Sequence, residues 1–147
     1  MIPCEKVLKA TKDCYIIDIV PEMVERKISS IIIVENMKPI GIITERDIMR
    51  FLFSPEHQRL NFRKVKFRDF LDFNVISINV DETIQDGINL MRKYKIKHLI
   101  VINNKKELSG IVSASDILYN SRISNDSQNF TLALSYLSDL KHFTKCK

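Results

Sequence analysis

Apolar residues in this chain fall in short blocks between polar turns, and their spacing alternates between two kinds. In the second half, residues 75–78 (Val-Ile-Ser-Ile) form a β-branched run of strand length. After Asp81 the period changes. Ile84, Ile88 and Met91 stand at i, i+4 and i+7, which predicts an amphipathic helix capped by Asp81 or Thr83. Residues 98–102 are a continuous apolar run, residues 103–106 (Asn-Asn-Lys-Lys) a turn, and residues 108–113 a returning strand, so a hairpin is predicted. Ser113, Ser115 and Asp116 then offer caps for a closing helix through Leu118 and Tyr119.

The same order occupies the first half. With a shift of 68 residues, Val7-Leu8-Lys9-Ala10 falls on Val75-Ile76-Ser77-Ile78, Met23 on Met91, and residues 31–34 on 99–102. One extra residue in the second turn makes the shift 69, and Gly41-Ile42-Ile43-Thr44-Glu45-Arg46-Asp47 then lies on Gly110-Ile111-Val112-Ser113-Ala114-Ser115-Asp116. A repeat of this kind fixes the architecture before any single motif does. We therefore expect a mixed α/β (α+β) fold of two pseudo-symmetric strand-helix-strand-strand-helix repeats packed through their sheets. Repeat 1 spans residues 1–53, a linker 54–66, repeat 2 67–123 and a C-terminal tail 124–147. Pro21 stands where the second copy has Asn89, and proline fits only a first helical turn, so the first helix is expected to begin near Asp18. In the tail, Phe130, Ala133, Leu134, Leu137 and Leu140 or Lys141 form a helical stripe.

Composition narrows the class without choosing a function. The 147 residues carry 23 Lys+Arg against 18 Asp+Glu, a net +5 that suits polyanions of any kind. No apolar run approaches the ~20 residues of a membrane span, and the N-terminus lacks a signal-peptide succession, so a cytoplasmic protein without a membrane association is expected. Cys4, Cys14 and Cys146 are read as free thiols, since an odd, scattered trio makes no disulfide framework. No metal-ligand spacing occurs among the cysteines and His57, His98 and His142.

The chemistry concentrates at the two strand-to-helix junctions. Thr44 with Asp47, and Ser113 with Asp116, place a hydroxyl and an acid three residues apart. Helix capping explains such a pair by itself. A helix start also favours phosphate, and a carboxylate there can accept both hydroxyls of a ribose, with Arg46 adding a cation.

Both halves resemble the cystathionine-β-synthase (CBS) domain, and the whole resembles a tandem pair, over roughly residues 5–53 and 67–122. The features that carry this are the element order, the Gly-h-h-[Ser/Thr]-x-x-Asp endings and the aliphatic run before each turn. The resemblance implies a binding module for adenosine-containing ligands such as AMP, ATP or S-adenosylmethionine, which often dimerises and regulates another protein. It implies ribose-binding acids at Asp47 and Asp116 and their hydroxyls at Thr44 and Ser113. An adenine pocket is implied along Val75, Ile76 and Ser77, and along Val7, Leu8 and Lys9. Phosphate positions fall on Arg46, Ser115, Lys97 and His98, and on Ser29 and Ser30. The repeats differ, since Lys9 faces Ser77 and Arg46 faces Ser115 in the alignment, so the two sites are not equivalent.

His98 is open to two readings, a half-buried residue at a strand start or a ligand contact. The basic cluster Arg63, Lys64, Lys66 and Arg68 reads as a solvated linker face, unaccompanied by any nucleic-acid recognition element. No nucleophile-base-orienter set is recognisable, so no catalytic residue and no required cofactor is expected. The expectation is a stand-alone sensor with a ligand in a cleft between repeats, a homodimer whose output passes to another protein. A dimeric scaffold with no bound nucleotide is the alternative. The tail stripe is a candidate partner contact or dimer seam.

Overall fold

The computed structural model describes residues 2–3, 7–57, 61–69 and 74–120. The predicted tail helix, Cys4 and Cys146 lie outside them. Among the described residues, Leu8–Val75 form one compact unit, and Ile76–Asn120, with the N-terminal strand, belong to a second.

The first unit contains β2 (Lys9–Ala10), α1 (Ile16–Arg26), β3 (Ser30–Glu35), β4 (Lys38–Thr44) and α2 (Glu45–Phe53). Its sheet has the order β2-β3-β4, with β2 parallel to β3 and β4 antiparallel to it. The second unit repeats this with β5 (Ser77–Asn79), α3 (Ile84–Tyr94), β6 (His98–Ile102), β7 (Leu108–Ser113) and α4 (Ala114–Asn120). Here a short N-terminal strand, β1 (Ile2–Pro3), pairs antiparallel with the outer edge of β7, giving the order β1-β7-β6-β5.

The duplication extends to fine detail. The β3–β4 register slips between Ile33 and Val34, and the β6–β7 register slips at the equivalent Val101 and Ile102. α1 and α3 both end in a left-handed lysine, Lys27 and Lys95, each at φ 53°. Ile28 and Ile96 then donate back to Met23 and Met91 at 2.9 and 3.0 Å, which occupies carbonyls that a helix end leaves unpaired. The hairpins differ where the extra residue lies. Asn36 and Met37 both have positive φ, the signature of a two-residue turn with primed geometry, whereas the longer second turn has a single such residue, Lys106.

Each unit has its own core. Leu8, Ile16, Ile19, Met23, Ile31, Ile33, Ile43, Ile48 and Phe51 pack together in the first, and Ile78, Met91, Leu99, Val101 and Val112 in the second. The inter-repeat segment joins the first of these cores. Three single-turn 3-10 helices occupy residues 55–57, 62–64 and 67–69, and Val65 and Phe67 are buried among the α1 and β3 side chains. Backbone bonds fasten the segment: Ile16 N–H to Val65 O (3.0 Å), Phe67 N–H to Cys14 O (3.2 Å) and Arg68 N–H to Lys12 O (3.0 Å). Arg68 also pairs with Asp13, while Arg63 and Lys64 are exposed.

Two expectations are corrected. α1 starts at Ile16, in step with Ile84 of α3, and keeps Pro21 in its interior. Pro21 lies on the exposed side of the helix, so water can satisfy the Ile17 carbonyl, while Ile16, Ile19 and Met23 bury the other side. Replacing Pro21 with alanine is expected to raise the unfolding free energy by about 2 kcal/mol, roughly 3 from the restored helix interior less about 1 for the freer unfolded chain. Urea titration of Pro21→Ala tests this, and an unchanged midpoint contradicts it. The second correction concerns the thiols: Cys14, buried next to α1, is disulfide-bonded. A count of cysteines limits how many can pair, but the fold decides which ones meet.

Among the described residues, no helix is long and apolar enough to cross a membrane.

Candidate functional site

Each hairpin ends on the residue that caps the next helix. Thr44 closes β4 and caps α2: its Oγ1 accepts from Asp47 N–H at 3.3 Å, and Asp47 Oδ2 accepts from Thr44 N–H at 2.9 Å and Thr44 O–H at 2.6 Å. Ser113 and Asp116 repeat the arrangement at α4, with the corresponding distances 3.1, 2.8 and 2.7 Å. In both pairs one carboxylate oxygen takes both capping donors. The Oδ1 of Asp47 accepts no hydrogen bond from the described residues.

The strand entering each hairpin brings a second group of predicted residues to the same place. Ser30 stands opposite Thr44 in the ladder, and His98 opposite Ser113. Glu45 N–H donates to Ser29 O at 3.0 Å, and Ala114 N–H to Lys97 O at 2.9 Å. Thus Ser29, Ser30, Thr44, Arg46 and Asp47 gather at one end of the first sheet, and Lys97, His98, Ser113, Ser115 and Asp116 at the same end of the second. Arg46, Ser115 and Lys97 are exposed, while Asp47, Asp116 and His98 are half-buried. The third group lies across the central strand. Lys9 is in register with Ile32 and Ser77 with Ile100, so each stands two strands from the strand that ends in the capping residue. Val75 and Ile76 lead into β5, and Ile76 packs against the second core.

The capping geometry is not confined to these two junctions. Thr83 and Asp86 build it again at α3, with distances of 3.1, 3.1 and 2.5 Å, which settles the cap there as Thr83. Tyr15, the equivalent residue at α1, makes no side-chain cap. The bond from the Thr83 hydroxyl, and then its backbone N–H, hold the Asp86 carboxyl below the ordinary carboxylate range. A lowered pKa means stabilisation that is present above the unfolded carboxylate value and disappears as pH falls through the folded one. Thr83→Ala is expected to cost about 1 kcal/mol at neutral pH. The difference from the parent protein should shrink in acid below the usual carboxylate pKa; denaturation curves at neutral and acidic pH check this, and a gap that widens in acid contradicts it.

A cavity of about 310 Å³ lies elsewhere in the first unit, lined by Phe51, His57, Asn61, Lys64, Val65 and Asp69. None of the sequence-predicted site residues lines it. The His57 ring stacks on Phe51 there, with centroids 4.1 Å apart. Nothing in the residue pattern marks this cavity, because the inter-repeat segment that forms one wall has no counterpart in the other copy.

Comparison with known proteins follows the duplication. The CBS domain family matches residues 2–54 and 67–122. An uncharacterized protein of Methanopyrus kandleri is 36% identical over 103 residues, covering 69% of this chain and 51% of its own length. The inosine-5'-monophosphate dehydrogenase of Korarchaeum cryptofilum is 30% identical over 97 residues, 66% of this chain but 18% of the dehydrogenase. This chain therefore spans about half of the first relative and under a fifth of the second. Among solved structures, a CBS domain protein from Pyrobaculum aerophilum complexed with AMP superposes with a TM-score of 0.68 at 19% identity, covering 88% of this chain and 92% of that one. The CBS domain pair of protein MJ0100, in complex with 5-methylthioadenosine and S-adenosyl-L-methionine, has a TM-score of 0.68 at 25% identity, covering 82% and 94%. Two matched copies, with the element order and junction geometry repeated in both, place the chain in the CBS domain family as a tandem CBS pair.

Proposed function

We propose that this chain is a regulatory module that binds an adenosine-containing ligand of the AMP, ATP or S-adenosylmethionine class at the ends of its sheets. The observation that carries this reading is the hydroxyl–carboxylate pair built identically in both repeats, with one oxygen of Asp47 left for a ligand. A carboxylate fixed at a helix start accepts the two ribose hydroxyls as charge-assisted hydrogen bonds, which are about twice as strong as neutral ones. Val75, Ile76 and Ser77, and Lys9 in the other repeat, take the base. Arg46 with Thr44, and Lys97 and His98 with Ser113 and Ser115, take phosphate or another charged substituent. The ligand is a signal, and no cofactor is required. The relatives bound to AMP and to S-adenosyl-L-methionine with 5-methylthioadenosine support the ligand class. Catalysis has no residue set in this reading; the chain works as a cytoplasmic homodimer whose output is a changed contact with a second protein.

Thr83 and Asp86 favour a second reading, because they form the same bonds where no ligand role is assigned, so the geometry arises from capping alone. In that case the pair is a dimeric scaffold. Isothermal titration of the folded protein with AMP, ATP and S-adenosylmethionine separates the two. Saturable heat with at least one of them is expected, and silence with all three leaves the scaffold. The absence of Trp makes co-purified nucleotide easy to see near 260 nm.

A further inference from the structure

The cavity of the first unit combines an apolar floor with a polar rim. Phe51 and Val65 are buried beneath it, and the half-buried His57 ring stacks on Phe51 at an interplanar angle of 29°. Asn61, Lys64 and Asp69 line it from exposed positions. The arrangement belongs to this repeat alone, since the inter-repeat segment has no counterpart and the second copy has Asn120 where the first has Phe51.

Local bonds hold three of the polar side chains and leave part of each unused. The Phe51 carbonyl only accepts, so His57 donates to it through Nδ1 at 3.2 Å and the neutral ring keeps Nε2 as an acceptor. Asn61 Oδ1 accepts from Arg63 N–H at 3.1 Å, which leaves its amide NH2 to donate. Asp69 Oδ2 accepts from Lys66 N–H at 2.8 Å, which leaves Oδ1. Among the described residues, the Lys64 ammonium has no ion-pair or hydrogen-bond partner. The lining therefore offers two donors, Lys64 and Asn61, and two acceptors, Asp69 and His57.

One cation and one anion beside a neutral imidazole make a charge-balanced lining. A phosphate ester would bring two negative charges against Asp69, whereas a zwitterion satisfies both signs at once. Its carboxylate meets Lys64 and Asn61, its ammonium meets Asp69 and His57 Nε2, and its apolar body covers Phe51 and Val65. The volume of about 310 Å³ lies at the small end of ligand pockets, which suits a body of one ring or one branched chain.

We propose that this cavity binds a free α-amino acid with an aromatic or large aliphatic side chain. None of the residues assigned to the adenosine ligand lines it, so the site is independent of that reading.

Isothermal titration of the full chain with L-phenylalanine and L-leucine is expected to show saturable binding of at least one. N-acetylation or amidation of that amino acid removes one charge and should weaken it about 10-fold or more, as expected for a lost hydrogen bond to a charged group. Lys64→Gln and Asp69→Asn should each weaken it by a similar factor, about 10-fold, with an unchanged urea midpoint, because both residues are exposed and the new amide still accepts from Lys66 N–H. The imidazole proton resonances of His57, identified by their loss in His57→Gln, should shift as the amino acid saturates. Silence with both amino acids, equal affinity for the blocked forms, or binding that survives both substitutions overturns the proposal. Binding that leaves the His57 resonances in place puts the amino acid elsewhere and overturns it too.

Discussion

Phe67→Ala is expected to lower the unfolding free energy by about 3–5 kcal/mol, the range for emptying a buried aromatic site. Phe67 is wholly inaccessible, although it lies in a 3-10 turn between the repeats rather than in a sheet or long helix. Its side chain sits in the core formed by α1, β3 and α2, and its N–H donates to Cys14 O, so the turn cannot easily collapse into the space left behind. Marginal stabilities of about 5–15 kcal/mol make this a large fraction of the total. Chemical denaturation of the variant gives the number directly; a loss below about 1 kcal/mol would mean that the segment is only draped over the unit.

Asp47→Ala and Asp116→Ala are each expected to weaken AMP binding by about 10- to 100-fold at the site they serve, because each removes a hydrogen bond to a charged acceptor of about 1.5–3 kcal/mol. Both changes also delete a helix cap, so an effect through lost folding has to be separated from an effect on the ligand. The structure provides the control. Asp86→Ala deletes the same kind of capping carboxylate at α3 and is expected to leave affinity unchanged. Titration calorimetry of the three variants decides the matter: equal weakening by Asp86→Ala assigns the loss to destabilisation. Because the cations differ, Arg46 in one repeat and Lys97 with His98 in the other, the two acids should report on sites with different preferences for the charge on the ligand.

The parts of this fold that were legible in the sequence are those that occur twice. Hairpin strands and the Thr44–Asp47 and Ser113–Asp116 pairs were checked by a second copy at a fixed offset, so one ambiguous residue could not mislead, whereas the α3 cap, with Tyr15 at its equivalent in α1, stayed open between Asp81 and Thr83. The failures occur where the copies diverge. Pro21 argued for a late helix start because propensity weighs the lost hydrogen bond, whereas burial of Ile16, Ile19 and Met23 outweighs it. Val65 stands in the linker 54–66, which has no repeat partner, and Phe67 at the first residue given to repeat 2, and an isolated Val-x-Phe in a basic stretch carries no period that distinguishes a core contribution from a linker. The pairing of Ile2 and Pro3 with Ile111 and Gly110 is likewise too short to leave a pattern. The candidate site was legible as residue types and register, and the exposure of Arg46, Ser115 and Lys97 required the fold.

The N-terminal strand has a consequence for self-association. An outer strand with open backbone donors and acceptors is a template for strand addition by another molecule. In the second unit the two-residue β1 takes that position along Gly110 and Ile111 of β7, so part of this edge is covered and the new outermost strand is short and ends in Pro3. In the first unit β4 is outermost and has no such cover among the described residues, but it begins Lys38-Pro39, a charge followed by a residue with no N–H to offer. Each sheet thus guards its outer edge differently. Loss of the first three residues should therefore make the second unit the aggregation-prone one.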